Sequence, residues 1–457
     1  MNGGHLQLMG LKSPALSNMP YCRGRARYLG FKSSLGLLSA LFIFLALISS
    51  ANAQAENEGT SAPIKKDSTH AVINDSLSRL KDVNDVFAVW FHQQRSYQKD
   101  TSAKRAHKLF VSLIPGVGYA EENGFFVTAE VIGAFYTSEN KDENISSITI
   151  APDVTQKKQL ILPIVTNIWT PGNKIDFQND IRYYIYPSIT YGLGGKTTPA
   201  DLDPINYQFI RFYQQVLKKL APDLVGGIGY NLDYHYDITE TPTASDVEGG
   251  KETDFERYDG GHILPTSSSS GLSLNLLYDT RRNLLNPVAG GTYMNVLIRQ
   301  NLTMLGSNTN YENVQLDFRK YFQFPYGSRN ILAFWNYYWF NFSGQTPYLD
   351  MPSTNWDTYS TSGRGYIQDR FRGRDEIYLE AEYRINFMKS GLIGAVVFSN
   401  MQAYSQQWPN NAITTLIPAA GAGLRIKINK LSNTNLCVDY GIGRDGGNIF
   451  LNLGEIF

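Results

Sequence analysis

The chain has 457 residues, with 41 Lys and Arg against 41 Asp and Glu, 42% hydrophobic and 13% aromatic side chains, and two cysteines. A zero net charge spread along the sequence offers no polycationic field for a phosphate backbone, so nucleic acid is not an expected partner. Beyond residue 50 no apolar run approaches the ~20 residues of a spanning helix, and the cysteines, Cys22 and Cys437, are too few for a disulfide scaffold.

Residues 1–53 hold Lys12, Arg23, Arg25, Arg27 and Lys32 and no acid, then the apolar run Leu35 to Ile48 and the small-residue site Ala51-Asn52-Ala53. This pattern predicts a secretory signal peptide; without its five basic residues the mature net charge is −5. No Cys follows the site, so no lipid anchor is expected. Residues 54–107 are polar, with a loop-like stretch from Glu56 to Pro63, and are expected to form a periplasmic N-terminal segment. Within it Val83, Phe87 and Trp90 recur at helical spacing after Asn84 and Asp85, which predicts one short amphipathic helix acting as a tether or partial plug.

From residue 108 the texture changes to alternation. In Tyr293 to Arg299, Met294, Val296 and Ile298 share one face while Asn295 and Arg299 share the other. Between Glu376 and Ile385, Ile377, Leu379, Ala381, Tyr383 and Ile385 alternate against Glu376, Tyr378, Glu380, Glu382 and Arg384. Four charges on one face do not fit a dry core, but they do fit the wet lumen of a barrel whose outer face meets lipid. About sixteen such strands fit residues 108–457, at roughly 22 residues per strand and connection. The short connections, Pro171 to Asn173, Ala221 to Asp223, Pro325 to Ser328, Met388 to Ser390 and Lys430 to Asn433, alternate with a set that includes long ones, Asp237 to Ser267, Gln345 to Arg374 and Tyr404 to Pro418. The predicted fold class is therefore all-β: a transmembrane antiparallel β-barrel of sixteen strands with short turns and both termini on the periplasmic side of an outer membrane. A soluble sandwich, the competing reading, does not require its connections to alternate in this way.

The chain closes on Asn448 to Phe457. Gly454 and the terminal Phe457 are the expected closing-strand signal, with the aromatic placed in the interfacial girdle. The six histidines form no metal-ligating or nucleophile-activating motif, and only His235 falls within a predicted strand, between Tyr234 and Tyr236, as an interfacial strand end. No catalytic residue, metal or cofactor is expected. The acids Asp246, Glu248, Glu252, Asp254, Glu256 and Asp259 are read as a solvated loop.

Three blocks carry a family resemblance. Tyr278-Asp279-Thr280-Arg281-Arg282-Asn283 with Pro287, Gly290, Gly291 and Tyr293 resembles the strand-turn-strand signature of the BamA/TamA-type surface-antigen barrels. Gly363-Arg364-Gly365-Tyr366, then Phe371 to Asp375 and Glu382-Tyr383-Arg384, resembles that family's long-loop motif and following strand. Gly394 to Phe398, then Gly421, Gly423, Leu424 and Asp439-Tyr440-Gly441, resembles its closing strands. The match is close over residues 270–457 and only architectural over 108–269. It implies an arginine loop folded back into the barrel, with Arg364 held by inward acids, here Glu380, Glu382 or Asp439. Asn400 stands where many relatives have an aspartate, which is expected to weaken that lock.

Read without the resemblance, Arg364, Arg370, Arg372 and Arg374 would be a basic surface loop. Asp279, Arg281, Pro287 and Gly290 are expected to shape a periplasmic turn. The segment ahead of the barrel is short for the periplasmic modules of such assembly factors. By resemblance the expected function is insertion or export of proteins, or lipid movement, through a lateral seam between Leu109–Tyr119 and Asn448–Phe457. The expected partners are outer-membrane lipids and unfolded clients or a periplasmic protein. The alternatives are a passive channel or structural barrel, and a surface lipase dependent on His235.

Overall fold

The computed structural model describes residues 80–83, 85–86, 108–120, 123–140, 143–241, 253–258, 260, 263–281, 283, 286–288, 290–358, 360–405, 413, 415–430 and 433–457. The expected leader lies outside the described residues, as do Asn84, Phe87 and Trp90 of the expected helix and Asp246, Glu248, Glu252 and Asp259 of the acidic loop.

Seventeen strands are formed among the described residues: β1 (Phe110–Ala120), β2 (Gly124–Phe135), β3 (Ser146–Ile150), β4 (Asp153–Thr155), β5 (Leu160–Trp169), β6 (Ile175–Thr190), β7 (Asp203–Ala221), β8 (Leu224–Glu240) and β9 (Thr266–Asp279), continuing with β10 (Thr292–Asn301), β11 (Tyr311–Gln323), β12 (Ile331–Ser343), β13 (Glu376–Asn386), β14 (Ile393–Tyr404), β15 (Ile417–Asn429), β16 (Thr434–Gly443) and β17 (Gly446–Leu453). Strands β3 and β4 both pair with β2 and with β5, so they form one position interrupted at Pro152, whose missing N–H breaks the ladder. The sheet therefore has sixteen strand positions, each antiparallel to its sequence neighbour. A five-residue helix, α1 (Asp254–Tyr258), lies in the β8–β9 connection.

Burial runs opposite to that of a soluble domain. Along β13 the polar row Glu376, Tyr378, Glu380, Glu382 and Arg384 is buried, while the intervening residues from Ile377 to Ile385 are only partly covered. Large apolar side chains point outward and uncovered, among them Ile228 at 66%, Leu274 at 57% and Val397 at 48% exposure. In water such a surface would cost about 25 cal/mol per Å² of apolar area, so a hydrocarbon surround is what makes this arrangement stable.

The wall is uneven. β6, β7 and β8 have 16, 19 and 17 residues, whereas β16 and β17 have 10 and 8. The connections of one end include the long segments after β8, β12 and β14, while the hairpins β1–β2 and β16–β17 on that same end are short. The low rim is therefore where the first and last strands meet.

Candidate functional site

The β12–β13 connection does not project away from the wall. It packs inside, and its four arginines, Arg364, Arg370, Arg372 and Arg374, are all buried. The surface-loop reading of these residues is thereby overturned. The physical reason is that each guanidinium finds acceptors there that repay its desolvation. Arg372 donates to the carbonyls of Tyr348, Leu349 and Met351 and pairs with Asp369 at 2.5 Å. Arg374 donates to the Asn341 carbonyl, and Arg370 pairs with Asp445 at 2.8 Å.

Arg364 sits where four strands present matching positions. The registers align Glu380 with Asn400, Glu382 with Phe398, Phe398 with Gly421, Gly421 with Gly441 and Gly423 with Asp439. Three glycines in this band leave a slot in the inner wall. A Cβ on Gly441 would lie 2.7 Å from the Gly365 nitrogen, so loop and strand meet backbone to backbone. Gly363 and Gly365 have φ values of +73° and +107°, which turn the chain sharply on either side of Arg364. The guanidinium donates to Asp439 and Glu382 at 2.6 Å each and pairs with Glu380. It also stacks 3.7 Å from the Phe398 ring centroid. All three acids named as alternatives are thus engaged together.

Asn400 is not part of the ion lock. Its Nδ2 donates to the Arg364 carbonyl at 2.8 Å, so it holds the loop backbone rather than the charge. Tyr366 donates to the Pro418 carbonyl at 2.7 Å and accepts from the Arg444 N–H at 2.9 Å.

The cluster extends to Arg384, already read onto the inner face, and to Arg425 and Glu455, which sequence reasoning missed. Glu382 pairs with Arg384 at 2.5 Å, Arg425 pairs with Asp439 and with Glu455 at 2.7 Å, and Glu455 lies 3.7 Å from Arg384. Three guanidiniums thus face four carboxylates, with the Tyr378 hydroxyl donating to Glu380. The signal for Arg425 was its place in the same two-residue rhythm as Gly421 and Gly423.

The chain terminus corrects another expectation. β17 ends at Leu453, Gly454 adopts φ +90°, and the last three residues turn into the lumen. Phe457 is 3% exposed, packed on Trp335 and Tyr321 at centroid distances of 5.4 and 6.2 Å, instead of sitting in the girdle. Arg384 donates to the Phe457 carbonyl at 2.6 Å and to the Pro287 carbonyl at 3.3 Å. The same guanidinium ties Glu382, the terminus and the β9–β10 turn together. In that turn Arg281 pairs with Asp279 at 2.8 Å and stacks 4.2 Å from the Tyr293 ring, while Gly290, at φ +90°, donates to the Tyr321 carbonyl.

At the other end of β17, Arg444 donates to the carbonyls of Gly195 and Thr197 at 2.7 and 2.5 Å, beside the Arg370–Asp445 pair. Both ends of the last strand are therefore pegged to the interior. Its long edge is different: β1 and β17 adjoin, but among the described residues no residue-by-residue register joins them, whereas every other neighbouring pair has one.

His235 is also not at an interface. It lies 1% exposed on the inner face of β8, stacked 4.5 Å from Phe209, with its Nδ1 3.6 Å from Asp350 of the loop. Ser269 hydrogen-bonds Asp350 and accepts from the Tyr311 hydroxyl, so the serine faces the carboxylate and not the imidazole. Tyr184, Tyr186, Tyr207 and Phe209 form an aromatic bed here for Tyr348 and Leu349 of the loop.

These features define a class: a sixteen-position antiparallel barrel with an arginine loop locked inside and a junction of first and last strands that has no residue-by-residue register among the described residues. The fold is similar to solved outer-membrane barrels. BamA from Haemophilus ducreyi lacking POTRA domains 1–3 matches with a TM-score of 0.51 at 13% identity over 82% of each chain. CdiB from Escherichia coli matches with a TM-score of 0.50 at 11% identity, over 76% of this chain and 62% of that one. No protein-family model matches the sequence, and no curated protein matches it.

Proposed function

We propose that this chain is an integral outer-membrane barrel that inserts or exports proteins, or moves lipid, through the lateral seam between β1 and β17. The observation that carries the reading is that β1 and the eight-residue β17, alone among neighbouring pairs, share no residue-by-residue register among the described residues, because a short, irregularly paired edge opens at lower cost than an interior ladder. The likeness in fold to BamA and CdiB barrels supports the general role. Clients would be unfolded outer-membrane proteins or lipids, reached directly or through a periplasmic partner. Chemistry on a substrate is no part of this reading.

The test is a disulfide engineered between the middles of β1 and β17 in a Cys437→Ser background. Loss of activity in the oxidised, folded protein, restored by reduction, is expected. Full activity while crosslinked would rule out lateral opening.

A further inference from the structure

The turn ends of β11–β14 carry apolar surface that the barrel itself does not use. The outward row of β11 and β12 includes Phe318, Phe322 and Phe334, with the Phe322 and Phe334 rings 6.1 Å apart, and belongs to the lipid-facing band. That row does not stop where the strands stop. Phe324, Tyr326, Phe387 and Met388, in the β11–β12 and β13–β14 turns beyond the strand ends, are 56%, 98%, 61% and 43% exposed. The two turns are joined to each other. Arg329 donates to the Lys389 carbonyl at 2.7 Å, and Tyr383 donates to the Phe324 carbonyl at 3.0 Å with its ring edge-on to Phe324.

Charge in this patch has one sign. Lys320 faces outward at the last turn of the strand, 5.8 Å from the Phe322 ring, and Arg329 and Lys389 follow in the turns, while residues 324–330 and 386–390 contain no acid. The comparable turns at 170–174 and 221–223 of the same end carry no aromatic side chain. Rings continuing from a lipid-facing band and ending among lysine and arginine match the chemistry of a membrane–water interface. At such an interface an aromatic ring is wetted on one side only and a cation meets phosphate. The neighbouring backbone is already taken: Lys81 N–H donates to the Ser390 carbonyl at 2.9 Å, and Lys430 pairs with Asp85 at 2.8 Å, so Lys81 and Asp85 dock on this rim.

We propose that Phe324, Tyr326, Phe387 and Met388, with Arg329 and Lys389, form an anchor that beds in the phospholipid headgroups of the leaflet on the turn side of the barrel. The occupant is the lipid surface, because the patch is continuous with the lipid-facing band and its cations complement phosphate. The anchor holds this sector of the rim at a set depth, together with the platform on which Lys81 and Asp85 rest.

The test uses the full barrel in nanodiscs of phosphatidylcholine with phosphatidylglycerol, so that both faces are open to solute. Tyr326→Cys and, as reference, Asp223→Cys are each made in a Cys437→Ser background and labelled with an environment-sensitive fluorophore. Retained heat-modifiable gel mobility verifies folding. At position 326 quenching by iodide should be at least threefold weaker than at 223, and quenching by headgroup-region nitroxide lipid at least twofold stronger. Adding Arg329→Glu and Lys389→Glu should reduce the nitroxide quenching about twofold. Equal iodide access at both positions with no nitroxide quenching would overturn the anchor. So would protection of position 326 that appears only when membrane proteins from the native source are added, which would assign the patch to a protein partner. Nitroxide quenching unchanged by the two glutamates would refute the role of the cations.

Discussion

Arg364 and Asp439, 75 residues apart in sequence, meet inside the barrel at 2.6 Å with both side chains about 1% exposed. The loop that carries Arg364 is therefore held to the penultimate strand by a desolvated ion pair, shared with Glu380 and Glu382, rather than by an apolar contact. Breaking one member of such a buried network leaves uncompensated charge and costs roughly 3–5 kcal/mol.

Arg364→Ala should thus lower unfolding stability by about that amount and free the loop. In planar bilayers the variant should conduct several-fold more than the parent, which is expected to conduct poorly with its lumen filled. Arg364→Lys should recover only part of the stability, since an ammonium cannot fork between carboxylates. Steady high conductance of the parent would favour the passive-channel alternative.

Gly441→Ala tests the backbone contact. The new methyl would sit 2.7 Å from the Gly365 nitrogen and 2.9 Å from its Cα, so the loop must shift, at about 1–3 kcal/mol. Protease cleavage within residues 344–375 should rise in the folded variant. Protection equal to the parent would mean that the loop does not rest on β16.

Glu455→Gln should release the chain terminus. Glu455 faces Arg425 at 2.7 Å and Arg384 at 3.7 Å, and also accepts from Asn435 at 2.6 Å. The amide keeps the shape but leaves those guanidiniums short of one negative partner. Maleimide labelling of an Ile456→Cys probe, slow in the parent because Ile456 is 6% exposed, should accelerate at least tenfold.

The Arg370–Asp445 pair pegs the tip of the β16–β17 hairpin, with Asp445 about 20% exposed. A double-mutant cycle with Arg370→Ala and Asp445→Ala should give a coupling near 1 kcal/mol, given that partial exposure. If β17 swings outward in function, either single change should raise activity without unfolding the barrel.

Asp350, in the β12–β13 connection, is buried, and desolvation pushes its carboxyl up to about 7. A raised folded value means that the folded state binds the proton more tightly. Its contribution is then fully present below the unfolded value of about 4 and declines as pH rises toward 7. Loop release, followed by proteolysis, should therefore increase across that window. Asp350→Asn should flatten the dependence.

The two-residue rhythm of residues 376–385 was enough to assign Glu380, Glu382 and Arg384 to one face and Ile377 and Leu379 to the other, because that period follows from the geometry of any extended chain. That this face turns inward was likewise legible, since four charges on one face need partners or water that a lipid-facing surface does not offer. The glycines around Arg364 could be read as a tight turn.

Partners could not be read in this way. Parity assigns a side chain to a face but does not say which face lies opposite. The convergence of Arg364, Arg384, Arg425, Asp439 and Glu455 depends on strand register around a closed wall. The inward turn at Gly454 and the burial of Phe457 and His235 depend on what fills the lumen. Local covalent geometry sets the alternation, and the sequence displays it directly. Pairing across a lumen is decided by closure, where desolvated charges must find one another wherever register brings them.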